Sequence, residues 1–281
     1  MEKTVITYSN LIVRKEQNMT QSTTLNEGLS SIHHYQIHPE YLPFIGKDYE
    51  KYRILLVGES HYINQSAHSS TVTLTDFDSW WEESCPKVSM GSEGWFNTRQ
   101  VVENYKSGDK GGKYGIFTNI IKSFSKVVLG EEIHRISLDK KQLIDCFAFM
   151  NFFQMPALYS KMKYWNSLVK SAKLLGDKSL ADEVWNKSVA VSSGVLNDVI
   201  DILKPKLVVF VSVSAGKAYQ NSCGANSSID TDIVYTSHPA RPFSWNKPLP
   251  SLNGKTGKEV FENALETYIK NSEKSKQYEQ V

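Results

Sequence analysis

The sequence predicts an α/β protein, a three-layer sandwich around a central, mostly parallel sheet of four strands. Two observations carry this prediction. Short apolar runs typical of buried parallel strands recur along the chain, and longer segments with helical spacing of apolar residues separate them. Strands that alternate with helices form a parallel sheet with helices on both faces. The 281 residues, 40% of them hydrophobic, are enough for one domain with a substantial core.

Four apolar runs are predicted as strands because each is short and ends at a turn residue or a polar segment. The first run ends at Gly58, and the third lies between Pro205 and Gly216. In chain order the predicted strands are Ile54–Val57, Ile144–Phe153, Leu207–Val213 and Ile233–Thr236.

Apolar residues three or four positions apart predict the helices. In Ile116–Leu129 this spacing continues to the last turn, and Gly130 follows as a C-terminal stop signal. Leu180–Leu203 is predicted to be interrupted near Ser192-Ser193-Gly194 and to end before Pro205. The other predicted helices are Thr98–Tyr105, Lys161–Leu175, Ala215–Asn221 and Gly257–Lys270.

Composition predicts where the domain begins and ends. Residues 1–35 are mostly polar and lack a sustained period, so we expect a loosely ordered N-terminal arm. Residues 36–271 form the single domain, which has room for insertions between its motifs, and the charged residues 272–281 are predicted as a frayed tail.

Cysteine spacing, charge and hydropathy limit the classes of function. Cys85, Cys146 and Cys223 lie far apart with no CxxC pair, so we expect no metal site and no cofactor, with Cys146 buried. The net charge of +2 means that any contact with nucleic acid must come from a local patch. No long apolar run or apolar signal core is present, so we expect a cytoplasmic protein that does not enter the membrane. Nothing indicates an obligate protein partner.

Unusual polar residues stand at the ends of three predicted strands. They are Gly58–Tyr62, Asn151–Gln154 and Ser237–Arg241. Ligands bind at the carboxyl ends of parallel strands, so we expect these distant segments to meet at one site.

Each segment has one candidate chemical role and one structural alternative. Glu59 could hold a water or stabilise a developing cation, or it could cap a helix that begins near His61. The amide of Asn151 offers the donor and acceptor that reading a pyrimidine edge requires, or it could satisfy loop backbone. His238 could donate to a carbonyl oxygen that gains charge, or it could be an incidental turn residue.

Together and in this order, the segments resemble the uracil-DNA glycosylase superfamily. Gly58-Glu59-Ser60-His61-Tyr62 is similar to the Gly-rich first motif, Asn151 with Gln154 to the base-reading strand end, and His238-Pro239-Ala240 to the His-Pro-Ser loop. Gly194–Val211 and Gly94–Arg99 are also similar to the family. The resemblance implies the fold of that superfamily and a site at the three strand ends.

Several positions depart from the family pattern. Ser60 stands where prototype members have a water-activating Asp, and Glu59 instead matches members whose motif begins Gly-Glu. Those relatives often hold an iron–sulfur cluster on four cysteines, whereas this chain has three. Ile63 and Ala240 replace a His and a Ser, and Tyr62 stands where many members close the pocket around the pyrimidine 5-position. These departures favour a modified base as substrate, or an inactive relative of the family.

The resemblance implies a monofunctional DNA N-glycosylase that flips a modified pyrimidine and leaves an abasic site, in DNA repair or in defence against phage with modified bases. Glu59 and His238 would be catalytic, and no metal or cofactor would be needed. The base would be bound by Gly58, Ser60, His61, Tyr62, Trp95, Phe96, Asn151 and Gln154. Arg99, Arg241 and Phe243 would contact the DNA partner.

Three other readings remain open. A non-catalytic nucleic-acid-binding module on the same fold would explain the missing Asp. An SGNH-type serine hydrolase would use Ser60, but position 235, where an Asp should orient His238, is Tyr, and no GxSxG turn is present. In a third reading the protein has another small-molecule role, and the aromatic residues of segment 77–96 belong to a core.

Overall fold

A computed structural model describes residues 23–63, 72–77, 79–83, 97–108, 115–159, 162–223, 231–240 and 242–278. The chain folds around a five-stranded mixed sheet with strand order β1-β3-β2-β4-β5. The strands are β1 (Phe44–Ile45), β2 (Ile54–Tyr62), β3 (Phe147–Ala157), β4 (Leu207–Phe210) and β5 (Asp232–Tyr235). β1 is antiparallel to β3, whereas the other neighbouring strands are parallel. The predicted α/β class is confirmed.

The sheet has one more strand than predicted. β1 adds a short antiparallel edge in a segment that contains Pro39 and Pro43. Two residues are too few to show the alternation by which a strand is recognised in a sequence. The prediction of four strands is therefore wrong, although each predicted strand overlaps one of β2 to β5.

β2 is longer than predicted, and this changes the setting of the first motif. Its partner β3 has 11 residues, and the pairing continues through Ser60 opposite Phe153 to Tyr62 opposite Ala157, with an irregularity between Ser60 and Tyr62. Gly58–Tyr62 therefore belongs to the strand and not to a following loop or helix. The residues just before β3, Gln142–Cys146, form a 3-10 helix instead of the predicted strand start.

Helices occupy most of the remaining described chain. In chain order they are α1 (23–31), α2 (His33–Ile37), α3 (Tyr49–Tyr52), α4 (Thr98–Ser107), α5 (Gly115–Leu129), α6 (Leu138–Lys141), α7 (Tyr164–Leu175), α8 (Ser179–Leu203), α9 (Val213–Cys223), α10 (Pro242–Asn246) and α11 (Gly257–Tyr278). Short 3-10 helices lie at Pro39–Tyr41, Leu74–Phe77 and Pro250–Leu252.

The two faces of the sheet bury two separate hydrophobic cores. Alternate residues of a strand point to opposite faces, so Leu55 and Val57 join a core with α7, α8 and α9. Ile54 and Leu56 join the other core, with α4, α5 and α11. The result is a helix–sheet–helix arrangement in which both faces of the parallel strands are covered, and this explains their continuous apolar runs.

Three helical segments differ from the sequence predictions. α8 is continuous through Ser192 and Ser193, which are buried, and the Ser192 hydroxyl accepts a hydrogen bond of 3.1 Å from Gln154 N of β3. The described part of the predicted loose arm is helical and buries Leu29 and Tyr35. α11 continues to Tyr278, beyond its predicted end and into the predicted frayed tail. Among the described residues, no helix is both long and apolar enough to cross a bilayer.

Candidate functional site

The carboxyl ends of β2, β4 and β5 lie side by side, and two backbone hydrogen bonds extend the pairing beyond the strands. Val211 N donates to Val57 O at 2.9 Å, and Thr236 N donates to Phe210 O at 2.8 Å. The residues that follow these strands therefore emerge at one edge of the sheet, with β3 on the other side of β2. The three predicted segments lie toward this edge, and β4 stands between β2 and the loop that follows β5.

Glu59 joins two neighbouring helices through its carboxylate. Oε1 accepts a hydrogen bond of 2.9 Å from the backbone N of Tyr164, the first residue of α7. Oε2 accepts one of 2.9 Å from the hydroxyl of Ser212, just before α9. Glu59 is half-buried, so these bonds form in a partly desolvated place. Glu59 therefore caps a helix, which was the alternative interpretation of this residue. The capped helix is α7 and not one that begins near His61.

Asn151 lies opposite Gly58 in the register of β2 and β3. A Cβ on residue 58 would be 2.3 Å from Asn151 Oδ1 and 3.3 Å from Phe149 Cζ. Glycine is required here because the amide of the neighbouring strand occupies the space that a side chain would need. The Asn151 side chain is half-buried at this edge.

The pleat of β2 separates the two principal polar groups of the site. Gly58 has the same parity as Leu56 and therefore faces the α5 and α11 layer, where Asn151 covers it. Glu59 has the same parity as Val57 and faces α7 and α9. Beyond Val57 the described sheet pairs β2 with β3 alone, so a ligand that contacts both side chains must lie along the free edge of β2 past the end of β4.

His238 lies in a loop that is fixed at both ends. The Thr236 hydroxyl donates to Gly257 O at 2.7 Å, and Asn119 of α5 donates through Nδ2 to Pro239 O at 2.8 Å. Within the loop, Ala240 N donates to His238 Nδ1 at 3.2 Å. A neutral imidazole that accepts at Nδ1 carries its proton on Nε2, so this ring presents Nε2–H as a donor.

Gln154 does not reach the open edge of the sheet. Its side chain is 1% exposed, and Nε2 donates to the backbone oxygens of Asn151 at 2.7 Å and Phe152 at 3.2 Å. The indole N–H of Trp80 donates a hydrogen bond of 3.0 Å to the backbone oxygen of Gln154. Gln154 therefore holds the backbone that presents Asn151, and the prediction that it reads the base directly does not fit its position.

His61 is also directed into the protein. It is buried, its Nε2 lies 2.9 Å from the hydroxyl of Thr98 in α4, and its ring meets Tyr41 edge to face at 5.1 Å. Tyr62 is half-buried, and burial raises the pKa of its phenol. Ser60 lies within β2 rather than on a sharp turn, which does not match the exposed nucleophile of a serine hydrolase.

Arg99 has a structural role in this arrangement. Its Nε donates to Pro43 O at 2.9 Å, and its Nη2 donates to Asn26 Oδ1 at 2.6 Å. These bonds tie α4 to the segment before β1 and to α1, so the guanidinium is already engaged and the predicted contact with DNA does not fit. Phe243, in contrast, is 73% exposed, and the ammonium of Lys247 lies 4.6 Å from its ring centre.

Part of the predicted aromatic region is core. Phe77, Trp80 and Trp81 are buried, and the ring of Trp80 stacks on His38 at 3.8 Å. For these three side chains, the structure agrees with the interpretation that the aromatic residues of segment 77–96 belong to a core. Three predicted site residues lie outside the described residues, and they are Trp95, Phe96 and Arg241.

Sequence reasoning missed Ser212 and Asn119. Ser212 holds Glu59 and also accepts a hydrogen bond of 3.4 Å from Ala215 N in the first turn of α9. A Ser between a Val-rich strand and a helix is a recognisable capping signal, so Ser212 could have been found. Asn119 carried no such signal, because its partner Pro239 is 120 residues away.

Comparisons with family models, with curated proteins and with solved structures found no match. Within the described part of the chain, no group of three or more His, Cys, Asp or Glu side chains is placed to hold a metal ion. The candidate site is therefore described by its own geometry, an α/β sheet edge at which a carboxylate on β2, an amide on β3 and an imidazole after β5 are found.

Proposed function

We propose that this chain is a DNA N-glycosylase with a uracil-DNA glycosylase-like fold, which hydrolyses the bond between the sugar and a flipped, modified pyrimidine. One observation carries the proposal. The amide of Asn151 lies over Gly58 toward the carboxyl edge of the sheet, Glu59 follows on the opposite face of β2, and the loop of His238 leaves β5 at the same edge. Loss of a base through an oxocarbenium-like state needs a base-reading group, a carboxylate and a donor to the leaving base.

Asn151 supplies the base-reading group. An amide has both a donor and an acceptor, which complement the polar edge of a pyrimidine. The side chain of Gln154 donates a hydrogen bond to the backbone oxygen of Asn151, and the Asn151 side chain lies against the bare backbone of Gly58. A fixed amide discriminates between bases better than a mobile one, since less ordering accompanies binding.

Glu59 supplies the carboxylate. Each of its oxygens accepts one hydrogen bond from the protein, and a carboxylate has about four acceptor sites in all. Lone pairs therefore remain to orient a water molecule, or to stabilise positive charge on the sugar.

His238 supplies the donor to the leaving base. With Nδ1 accepting from Ala240 N, the neutral ring carries its proton on Nε2. A base that departs gains negative charge on its carbonyl oxygen, and a donor fixed before the reaction stabilises that charge. The anchors at Gly257 and Asn119 keep the loop in place.

A non-catalytic nucleic-acid-binding module is the second candidate function. The observation that favours it is that both oxygens of Glu59 already bind protein donors, as expected for a carboxylate that only joins α7 to α9. The two candidates agree on the binding residues and differ in turnover.

The experiment is an incubation of the full chain with DNAs that contain uracil or modified cytosines, followed by alkali to reveal abasic sites. A glycosylase produces strand breaks on one substrate. Glu59→Gln and Asn151→Ala abolish them, whereas Glu183→Gln, a change of an exposed carboxylate on α8, does not. Binding without breaks on every substrate would favour the non-catalytic module.

A further inference from the structure

A cavity of about 890 Å³ opens between α7, α8 and α9. It adjoins the candidate site, because Lys163, just before Tyr164, and Ser214, two residues after Ser212, both line it. Tyr164 and Ser212 are the residues that donate to Glu59. The volume lies within the range of about 300–1,000 Å³ that small-molecule sites occupy. The proposed mechanism assigns no role to this space.

One part of the cavity wall is a rigid aromatic surface. Trp165 of α7 and Trp185 of α8 line the cavity, are half-buried, and meet edge to face with ring centres 5.4 Å apart. Phe153 of β3 supports Trp185 at 5.2 Å. Partly exposed indole rings that are fixed by their neighbours suit the stacking of a planar ring, with little entropy lost on binding.

The remaining lining is polar and carries a small positive charge. Lys163 and Lys217 line the cavity with Asp182, so two positive groups and one negative group leave a net charge of +1. Neither lysine forms an ion pair with a residue that the structure describes, whereas Lys106 and Lys126 each do. Two ammonium groups that lack an ion-pair partner among the described residues and lie beside a cavity suit a phosphate.

Amide side chains complete the lining. They belong to Asn166, Asn186 and Asn221, which are exposed and make no side-chain hydrogen bond to another described residue. Each offers a donor and an acceptor, as the edge of a nucleobase requires. The cavity therefore combines a stacking wall, cations and amides, which match the ring, the phosphate and the polar edge of one kind of ligand.

We propose that this cavity is a nucleotide-binding site, with the base against the wall of Trp165 and Trp185 and the phosphate between Lys163 and Lys217. A simple anion would leave the aromatic wall unused, and an uncharged apolar ligand would leave the lysines unused. The ligand can be a free mononucleotide or a nucleotide within a strand. The proposal does not depend on glycosylase activity.

The test is calorimetric titration of the full chain with uridine and adenosine monophosphates, an oligothymidylate and inorganic phosphate. The double variant Lys163→Gln/Lys217→Gln, in which both side chains are exposed, removes the cations with little effect on folding. Loss of two charge-assisted contacts weakens nucleotide binding by about tenfold or more. Lys270→Gln, an exposed change on α11, leaves binding unchanged.

A second variant tests the aromatic wall. Trp165→Leu keeps an apolar side chain and removes the ring, and it weakens nucleotide binding by at least about fivefold if the base stacks there. Circular dichroism verifies that each variant is folded.

Lysine-dependent binding of the mononucleotides supports a free ligand, and lysine-dependent binding of the oligonucleotide alone supports a nucleotide within a strand. The proposal is overturned if no nucleotide binds, if the lysine variant binds normally, or if phosphate alone binds as tightly as the nucleotides. Because binding is measured without turnover, a failure of the glycosylase proposal leaves these outcomes unchanged.

Discussion

The amide of Asn151 and the backbone of Gly58 lie so close across β2 and β3 that a Cβ at residue 58 would be 2.3 Å from Asn151 Oδ1. The strand parity, the cross-strand register and the missing side chain all favour this single position of the amide. Of the two members of this pair, only Asn151 presents a polar side chain to the edge of the sheet, and Gly58 provides the space for it.

We expect Gly58→Ala to displace Asn151 and to destabilise the fold. Overpacking at a buried position costs about 1–3 kcal/mol, because the amide and the Phe149 ring must move. Urea unfolding measures the loss of stability, and the glycosylase assay measures the loss of turnover that follows from a misplaced amide.

Asn151→Ala provides the control for this change. In the double variant Gly58→Ala/Asn151→Ala the amide is absent, so we expect the two stability losses to be less than additive by about 0.5–3 kcal/mol. Strict additivity would show that the Asn151 amide is not what disfavours a side chain at residue 58.

We expect Glu59→Ala to destabilise the protein more than Glu59→Gln. Alanine leaves the Tyr164 N–H and the Ser212 hydroxyl without acceptors, which costs about 1–3 kcal/mol. Glutamine can still accept from Tyr164 N and can donate to Ser212, so its loss is below about 1 kcal/mol. Thermal unfolding gives the comparison, and equal losses would mean that the negative charge matters more than the hydrogen bonds.

We expect Arg99→Gln to lower stability without changing the electrostatics of DNA binding. The guanidinium bonds to Pro43 O and Asn26 Oδ1 are lost, at about 1–3 kcal/mol. A residue that neutralises one phosphate changes the slope of log K against log salt by about 0.9. An unchanged slope supports the internal role, whereas a reduced slope would place Arg99 on the proposed DNA contact surface.

The strands and long helices were predictable because their apolar patterns are local. The apolar pattern of a single element indicates which of its residues are buried. Examples are the run from Ile54 to Val57 and the helical spacing in Ile116–Leu129. The end of β2 was not predictable, since Ser60 and Tyr62 are strand residues only because β3 extends beside them. β1 was missed for the same reason, as its two residues are defined by their pairing with β3.

In the candidate site, the positions of the residues were predictable, whereas the directions of their side chains were not. The sequence predicted that Glu59, Asn151 and His238 lie at one edge of the sheet, because that follows from the topology. It did not predict that Glu59 and Asn151 face opposite layers, since this depends on the register. Nor did it indicate that Gln154 is covered by Trp80, because that contact joins segments 74 residues apart.

The burial of His34 leads to a prediction about stability in acid. It is 5% exposed in α2, and burial, together with the nearby His38, lowers its pKa from the ordinary 6.5 to about 3. The unfolded chain therefore binds more protons than the folded chain between these two pH values, so stability rises with pH across this window. His34 stabilises the fold fully above pH 6.5, and this contribution decreases as the pH falls toward 3, by a total on the order of 5 kcal/mol.

The variant that tests this is His34→Phe, which replaces a buried imidazole by an apolar ring among Tyr35, Tyr41 and Trp81. We expect the loss of unfolding free energy between pH 6.5 and pH 3 to be smaller in this variant than in the natural chain. His134→Gln, a change of an exposed histidine between α5 and α6, should leave the natural pH dependence intact. Urea unfolding at several pH values measures all three proteins. If His34→Phe loses stability in acid as steeply as the natural chain, then protonation of His34 does not account for the loss of unfolding free energy.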